Sequence, residues 1–241
     1  MIIIPDIHGR DFWKEVTAIE DEEFVFLGDY VDPYPHEGVP QHKGLDTLRE
    51  VIEFKQANPE RVTLLLGNHD LSYLDERMDA CRYDEDREEQ IRGLLTDNLS
   101  LFKLCHSVSI GGQTYLFSHA GILQDWIDDN QAVLPPMSLR DADEVLNRLF
   151  HTADIYPALS DASHYRGGRN FCGSCVWADI EEFIERIDDP VPEENQGIFQ
   201  IFGHTQVIQP LLTDTFACLD THRPYHLDSK GMLRVFKQQN I

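Results

Sequence analysis

The sequence lacks a long apolar run and carries few basic residues. No stretch of its 241 residues approaches the roughly 20 consecutive apolar residues that a membrane-spanning helix needs. Residues 1–6 lack the basic segment and cleavable apolar stretch of a secretory signal, so we expect a cytoplasmic protein without a membrane partner. Acidic residues outnumber basic ones by 43 to 20, and the formal charge of −23 argues against a nucleic-acid partner because it repels polyanions.

Cysteine is also scarce. The 5 cysteines are odd in number and scattered, which favours a reducing compartment over a disulfide framework. Cys172 and Cys175 have the C-x-x-C spacing, but no second pair completes a zinc knuckle, so we favour a structural or redox-inert loop over a metal or redox role. Linkers rich in Gly, Ser or Pro are missing too, and residues 1–241 are expected to form one α/β domain.

Five short polar clusters organise what is present. Each follows an apolar run that is typical of a buried strand. The clusters are Asp6-Ile7-His8-Gly9, Gly28-Asp29-Tyr30-Val31-Asp32, Gly67-Asn68-His69-Asp70, Ser118-His119-Ala120-Gly121 and Gly203-His204-Thr205. In an open α/β sheet the carboxyl ends of the strands share one edge, where ligands bind. We therefore expect the five clusters to converge on one site.

The apolar spacing between the clusters predicts helices that alternate with strands. Residues 11–19, 44–57, 122–129 and 138–149 have helical spacing, and residues 71–104 are expected to be mainly helical. The acidic run 84–89 is interpreted as a solvated helix start rather than a substrate-facing patch. The strand–helix–strand rhythm through residue 66 indicates parallel strands with right-handed crossovers.

Two regions have the pattern of strands without an intervening helix. Residues 108–116 predict a hairpin across Gly111 and Gly112. Short β runs then follow at 207–212, 216–219, 225–227 and 233–236. We interpret these late runs as a second, largely antiparallel sheet that packs on the first.

The clusters contain donors suited to a site for two metal ions. Asp6 and His8 stand two residues apart at a strand end, so both side chains point the same way and can bind one divalent ion. Asp29 can bridge to a second ion. The donors that could complete the second site are Asn68, His119 and His204. This set contains no thiolate and favours manganese, with iron or zinc as alternatives; two such ions can polarise a phosphoryl oxygen and supply hydroxide at neutral pH.

Two polar residues of the clusters have no ligand role in this assignment. A carboxylate at Asp32 could hold the imidazole of His69 in an oriented, protonated state, which would make His69 a general acid for a leaving alkoxide. Asp70 could cap the following helix or share in catalysis, and both interpretations stay open. The remaining histidines are interpreted as surface or core residues, although His222 and His226 could approach the site.

Together these motifs resemble the calcineurin-like metallophosphoesterases, from residue 2 to about residue 205. Within that superfamily they most resemble the phosphoprotein phosphatase branch, which includes bacterial serine/threonine phosphatases and symmetrical diadenosine tetraphosphatases. The resemblance implies a four-layer α/β/β/α sandwich with mixed sheets and a dinuclear centre, and it makes His69 and Asp32 the proton-donating pair. The implied ligand sets are Asp6, His8 and Asp29 for one metal, and Asp29, Asn68, His119 and His204 for the other.

The chain departs from the family pattern at three positions. Pro33 follows Asp32 where the family usually has an arginine that grips the substrate phosphate, Asp70 replaces a usual glutamate, and Gln206 stands where many wider relatives have a histidine. Arg166 and Arg169 flank a Gly-Gly pair and are candidates for the missing phosphate clamp. Surface arginines on a loop are the alternative.

The leading hypothesis is metal-dependent hydrolysis of phosphomonoesters, either on a phosphoprotein or on a small phosphorylated molecule. The enzymatic alternative is cleavage of a dinucleoside polyphosphate, which would require several further cationic groups in the pocket. A third hypothesis, from another class, is a catalytically silent scaffold that keeps the fold as a binding surface. The oligomeric state is left open.

Overall fold

The computed structural model describes residues 1–237, so residues 238–241 at the end of the predicted domain lie outside the described residues. Most strands are short and buried. The strands are β1 (Ile2–Ile4), β2 (Phe24–Phe26), β3 (Val62–Leu65), β4 (Phe102–Lys103), β5 (Cys105–Ile110), β6 (Gln113–Ser118), β7 (Ile198–Phe202), β8 (Leu211–Leu212), β9 (Phe216–Cys218), β10 (Tyr225–Leu227) and β11 (Leu233–Val235).

Helices occupy most of the connections between strands. The α-helices are α1 (Lys43–Ala57), α2 (Asn68–Ser72), α3 (Glu88–Asp97), α4 (Gln124–Asp129), α5 (Ala142–Thr152), α6 (Tyr156–Leu159) and α7 (Ile180–Ile184). Short 3₁₀ helices cover Phe12–Val16, Pro35–Glu37, Leu99–Leu101, Leu139–Asp141, His164–Arg166 and Glu193–Asn195. Within residues 1–237, no helix is both long enough and apolar enough to cross a membrane.

The first sheet carries three of the five clusters. Its strand order is β11-β10-β1-β2-β3-β4, with β1 to β4 parallel and β10 and β11 antiparallel. Helix α1 links β2 to the parallel strand β3, which confirms the predicted strand–helix–strand rhythm. The predicted helix over 44–57 agrees with α1 to one residue.

The second sheet carries the other two clusters. Its order is β5-β6-β7-β9-β8, and β7 is parallel to both β6 and β9. Strands β5 and β6 form the predicted hairpin, whose turn residues Gly111 and Gly112 have φ of 61° and 89°. Positive φ at both positions explains the glycine pair, because glycine has no Cβ to clash there.

The two sheets pack face to face with helices outside. Successive strand residues point to opposite faces, so Ile3, Val25 and Leu65 meet Phe117 and Ile201 of the second sheet. On the outer face of the first sheet, buried strand residues share a core with α1; on the outer face of the second sheet, the rings of Phe183 in α7 and Phe202 lie 4.7 Å apart. This arrangement of two mixed sheets between helices confirms the predicted sandwich.

The predicted C-terminal sheet is wrong. Strands β8 and β9 join the second sheet, whereas β10 and β11 extend the first, with Tyr225 paired to Ile3. The alternation of apolar residues identifies a strand's buried face, but it contains no information about which strand lies beside it. The pairing of β10 with β1 depends on how the two sheets pack over their shared core.

Two helix predictions were too long. Of residues 11–19, only Phe12–Val16 is helical, as a 3₁₀ turn, and the stretch 71–104 also contains a loop before α3 and the short strand β4. Trp13 and Val16 are nevertheless buried, so the apolar spacing correctly predicted that these two side chains face the core. Glu88 and Glu89 form the first turn of α3, as the helix-start interpretation of the acidic run expects.

Candidate metal centre

All five clusters lie at the carboxyl ends of strands, at β1, β2, β3, β6 and β7. Three backbone groups join the two sheets or neighbouring strand ends at this point. The Leu27 carbonyl accepts from His119 Nδ1 at 2.8 Å, the Gly203 amide donates to the His119 carbonyl at 2.8 Å, and the His204 amide donates to Asp6. The site is therefore built where the edges of both sheets meet.

One group of possible metal ligands contains His8, Asp29 and His69, whose ligand atoms lie within 4.8 Å of one another. His8 Nδ1 donates to the Val31 carbonyl at 2.7 Å, which leaves the Nε2 lone pair 3.3 Å from Asp29 Oδ2. Burial opposes ionisation of Asp29, but the imidazoles of His119, His69 and His8 outweigh it and hold the pKa of Asp29 well below its usual value.

Asp6 is buried at the same edge but is not in that group. Both of its carboxylate oxygens accept the His204 amide, at 3.0 and 3.1 Å. A carboxylate has about four lone-pair positions, so this contact leaves acceptor capacity for a cation. The predicted role of Asp6 as a ligand stays a prediction.

A second ligand group shares Asp29 and adds His119 and His204. His119 Nδ1 donates to a carbonyl, and its Nε2, which is the acceptor in the neutral imidazole, lies 3.0 Å from Asn68 Oδ1 and 3.1 Å from His204 Nδ1. Burial, Arg166 and His119 lower the pKa of His204 well below its usual value, which favours the neutral imidazole that binds metals. His204 Nε2 is also buried without a hydrogen-bond partner among residues 1–237.

These residues fit divalent cations. Acceptors that face one another at hydrogen-bond distance without a shared hydrogen repel each other, and a cation between them removes that repulsion. Backbone carbonyls orient His8 and His119 in the way that outer partners orient metal-bound histidines. Oxygen and imidazole donors without a thiolate suit manganese, iron or zinc.

The backbone around the site is unusual. His8, Asp29, Asp32 and His204 have positive φ, between 47° and 63°. Such conformations cost roughly 1–3 kcal/mol each and persist where the surroundings impose them. Glycine is required beside them: a Cβ at Gly67 would lie 2.1 Å from Asp29 Oδ1.

Asp70 stabilises this backbone. Its carboxylate accepts the amides of Asp29 at 2.7 Å, Tyr30 at 3.0 Å and Gly67 at 2.9 Å. The contact with Gly67 caps α2, and the other two hold the strained turn after β2. Of the two interpretations of Asp70, this geometry supports the structural one.

His69 and Asp32 form a hydrogen-bonded pair. His69 Nδ1 lies 2.7 Å from Asp32 Oδ2, and the Tyr73 hydroxyl donates to Asp32 Oδ1. Burial alone would disfavour a charged imidazole, but Asp29 and Asp32 outweigh it and raise the pKa of His69 to about 10. The predicted role of His69 as a proton donor stays a prediction, which its contact with Asp32 supports.

The two candidate clamp arginines lie in different surroundings. Arg166 Nη2 donates to Thr205 Oγ1 at 2.6 Å, next to His204, and its Nε lies 2.7 Å from Asp179 Oδ2. Arg169 borders a groove lined by Asp125, Phe171 and Glu185, none of which belongs to the five clusters.

Neither cysteine of the C-x-x-C pair belongs to the two ligand groups, although the Cys175 carbonyl accepts the amide of Ala120, next to His119. Cys172 and Cys175 are buried free thiols, and burial raises the pKa of each to about 12. A thiol that stays protonated is a poor nucleophile and a poor metal ligand. Both cysteines are therefore consistent with an inert structural loop.

Some residues that lie at the site are not part of the sequence motifs. Tyr73 lies four residues after His69, a spacing that puts two side chains on one face of a helix and could have identified it. Arg82, which contacts His69, and Asp220, which is buried near Asp6, are distant in sequence from every cluster. His222 Nε2 lies 3.8 Å from Asp220 Oδ1, whereas His226 pairs with Glu22.

Comparisons with known proteins agree with this geometry. The family model of the calcineurin-like phosphoesterases matches residues 1–207. A solved serine/threonine phosphatase from Saccharomyces cerevisiae, described as similar to human phosphatase PP5, has a similar fold, with a TM-score of 0.52 and 12% identity over 100% of this chain and 80% of that chain. The phosphatase domain of the Legionella effector WipB matches 57% of this chain and 56% of its own, with a TM-score of 0.37 and 14% identity.

The family match covers all five clusters, and the serine/threonine phosphatase has the same fold. Both the predicted fold and the predicted enzyme class are therefore confirmed. The chain belongs to the calcineurin-like phosphoesterase family and is a metal-dependent phosphoester hydrolase.

Proposed function

We propose that this protein hydrolyses phosphomonoesters, on a phosphoprotein or a small phosphorylated molecule, with two divalent ions and with His69 as general acid. The observation that carries the proposal is the 2.7 Å contact between His69 and Asp32, at a site where His69 lies with His8 and Asp29 in one ligand group and Asp29 is shared with a second. Manganese is the metal that we expect, with iron or zinc as alternatives.

Six side chains would hold the ions. They are Asp6, His8 and Asp29 for one ion, with Asp29, Asn68, His119 and His204 for the other. When bound, the ions would polarise a phosphoryl oxygen and lower the pKa of water, which makes attack on phosphorus possible at neutral pH. Asp29 has the central place because both ligand groups include it.

His69 would protonate the leaving oxygen. Water would first lose a proton to solvent; as the resulting hydroxide oxygen forms a new bond to phosphorus, the bond from phosphorus to the leaving oxygen breaks, and that oxygen takes the proton from His69. Asp32 keeps the hydrogen on Nδ1 through the 2.7 Å contact and stabilises the imidazolium before transfer. Tyr73 holds the other carboxylate oxygen, so Asp32 cannot rotate away without losing that bond.

Arg166 and Arg169 are proposed to bind the substrate. Arg166 is supported by its contact with Thr205, the residue after His204, which puts the guanidinium at the rim of the second ligand group. Arg169 is supported only by its place on the same glycine-containing loop.

Cleavage of a dinucleoside polyphosphate is less favoured. Such a substrate carries several negative charges and requires several available cations. Arg10 forms a bidentate pair with Glu37, at 2.6 and 2.7 Å, and Arg166 shares its charge with Asp179, so neither supplies a full positive charge to a polyphosphate.

A hydrolysis screen of the purified protein, loaded with Mn²⁺, tests the proposal. We expect release of phosphate from p-nitrophenyl phosphate and from phosphoserine peptides, and little cleavage of diadenosine tetraphosphate. Asp29→Asn is the control, since it keeps the side-chain shape and removes the shared charge. Metal binding without hydrolysis of any of these compounds would support the silent scaffold instead.

A further inference from the structure

We propose that Arg82 binds the phosphoryl group of the substrate, at the point where His69 donates its proton. This inference rests on the proposed function and names a residue that the ligand sets and the proton-donating pair do not include. Arg82 follows Cys81 in the loop between α2 and α3 and is half-buried.

The terminal nitrogen of Arg82 points at the catalytic atom of His69. Arg82 Nη2 lies 3.1 Å from His69 Nε2. The other ring nitrogen of His69 is engaged by Asp32, so Nε2 is the atom that would carry the transferable proton. A substrate oxygen that accepts the proton of His69 Nε2 would therefore lie close to the guanidinium of Arg82.

Arg82 Nη2 and His69 Nε2 face the same position beside the imidazole, within hydrogen-bond reach of both atoms. A phosphoryl ester accepts from both: a non-bridging oxygen takes the Arg82 hydrogen, and the leaving oxygen takes the His69 proton. The two donors thus match one substrate.

Arg82 also differs in charge pairing from the other two arginines at the site. Arg10 is paired with Glu37, and Arg166 lies against Asp179. Arg82 makes no ion pair with a described residue; its side chain instead contacts the Asp32 carbonyl at 3.1 Å, the Cys81 sulfur and His69. In a protein with a formal charge of −23, an unpaired guanidinium beside the reaction centre is the cation available to an anionic substrate.

The side chain is held in place before any ligand arrives. Its guanidinium stacks on Tyr34, with Cζ 3.6 Å from the ring centroid, and the Gln41 side chain donates to the Arg82 carbonyl at 3.0 Å. Tyr34 in turn packs edge-on against His8, at 5.0 Å between ring centroids. Arg82 has φ of 66°, a conformation that costs energy in a non-glycine residue and that the surrounding contacts impose.

Pro33 is consistent with this role. It follows Asp32 and has no cation to offer, whereas Arg82 Nε donates to the Asp32 carbonyl just before it. The guanidinium of Arg82, from a segment distant in sequence, therefore lies beside the motif that ends at Asp32, which has no arginine of its own. This placement required the loop from 73 to 87 to fold back over the site.

Inhibition by inorganic phosphate separates a binding role from a positioning role. Phosphate has no leaving group, so its affinity does not depend on proton donation by His69. We expect Arg82→Ala to weaken phosphate inhibition of the Mn²⁺-loaded enzyme about 10-fold to 100-fold and to raise KM for phosphomonoesters similarly, as for the loss of a charge-assisted contact. Arg82→Lys should recover part of the affinity, because it restores the charge without the planar fork.

Arg77→Ala is the matched control, since Arg77 lies in the same loop but is exposed and paired with Asp75 and Asp154. Its phosphate affinity should equal that of the unmodified enzyme. If Arg82→Ala loses folding or metal, Arg82→Gln, which keeps a polar stem, is measured instead. Unchanged phosphate affinity overturns the inference, and a lower kcat on alkyl phosphates alone would make Arg82 a positioning residue for His69.

Failure of the proposed function is a different result. If the unmodified protein hydrolyses no phosphoester, phosphate binding to the Mn²⁺-loaded protein is measured by calorimetry. A tenfold loss in Arg82→Ala would then still support Arg82 as an anion-binding residue, and equal binding would overturn it.

Discussion

Asp32 is the residue on which the proton-donating group depends. One of its oxygens meets His69 Nδ1 at 2.7 Å, the other accepts the Tyr73 hydroxyl, and its carbonyl accepts from Arg82. Asp32 is buried, and its φ of 57° turns the chain so that these contacts form together. A residue with this many partners orients the imidazole and cannot move independently of it.

We expect the effect of His69→Ala to depend on the leaving group. General acid catalysis contributes about 10²–10⁴-fold, and the contribution shrinks as the leaving group becomes less basic. His69→Ala should therefore lose far more kcat on an alkyl phosphate than on p-nitrophenyl phosphate, with metal content retained. Asp32→Asn should show the same selectivity more mildly, because it weakens the orientation of His69 without removing the donor. Equal losses on both substrates, or loss of the metals, would contradict the assignment.

Steady-state kinetics of single-residue variants test the proposed roles of Arg166 and Arg169. Arg166→Ala should raise KM for small phosphoesters, because the guanidinium lies beside Thr205 and the second ligand group. The single variants and the double variant with Arg169→Ala are compared in steady-state assays. Unchanged kcat and KM in all three would assign both arginines to the protein surface.

Among the elements, the turn from β3 into α2 is the most constrained. It contains Gly67, Asn68, His69 and Asp70 in succession, and each has its own role. Gly67 permits close approach, Asn68 is the expected ligand, His69 is the proposed acid, and Asp70 anchors the backbone. Helix α2 has only five residues, so it gains little stability from its own hydrogen bonds. Its position therefore depends on the contacts of Asp70 with the turn after β2.

Gly67→Ala should abolish metal binding with little effect on the rest of the fold. The added Cβ would lie 2.1 Å from Asp29 Oδ1 and 2.7 Å from His119 Cε1, so both ligands must move. Elemental analysis after Mn²⁺ loading measures the loss. Gly93→Ala in α3 is the matched control, because nothing lies within 4 Å of its Cβ and alanine favours a helix by roughly 0.5–1 kcal/mol. Full metal content in Gly67→Ala would show that the site tolerates the shift.

At the scale of the whole molecule, the proposed ligands come from both sheets. Asp6, His8, Asp29 and Asn68 follow strands of the first sheet, whereas His119 and His204 follow strands of the second. Metal bound between them would join the two sheets at their shared edge. Folding stability and metal binding are therefore expected to be coupled.

Metal loading should raise the melting temperature. A ligand at 100 times its Kd stabilises by about 2.7 kcal/mol, which corresponds to about 5–10 °C for a chain of this size. Calorimetry of the protein with and without a chelator measures the shift, and elemental analysis should find about two ions per chain. Asp29→Asn should lose both ions and the stabilisation together. The same melting temperature in all three samples would argue against a site shared by the two sheets.

The convergence of the five clusters at strand ends could be predicted from the amino-acid sequence, because strand ends are marked by local signals. Each cluster comes directly after its own strand. The end of a short strand can be predicted where an apolar run changes to polar residues. Helix α1 and the hairpin of β5 and β6 were also predictable, since spacing and paired glycines are local signals. The cytoplasmic location and the native metal stay predictions.

The folded structure was needed for every feature that depends on contact between distant segments. It assigned β10 and β11 to the first sheet, grouped His69 rather than Asp6 with His8 and Asp29, and brought Arg82 to His69. The physical reason is the same in each case. Apolar periodicity indicates which side chains of an element are buried. Which strands and side chains lie next to that element depends on how the two sheets pack over one core, and a short stretch of sequence contains no information about that packing.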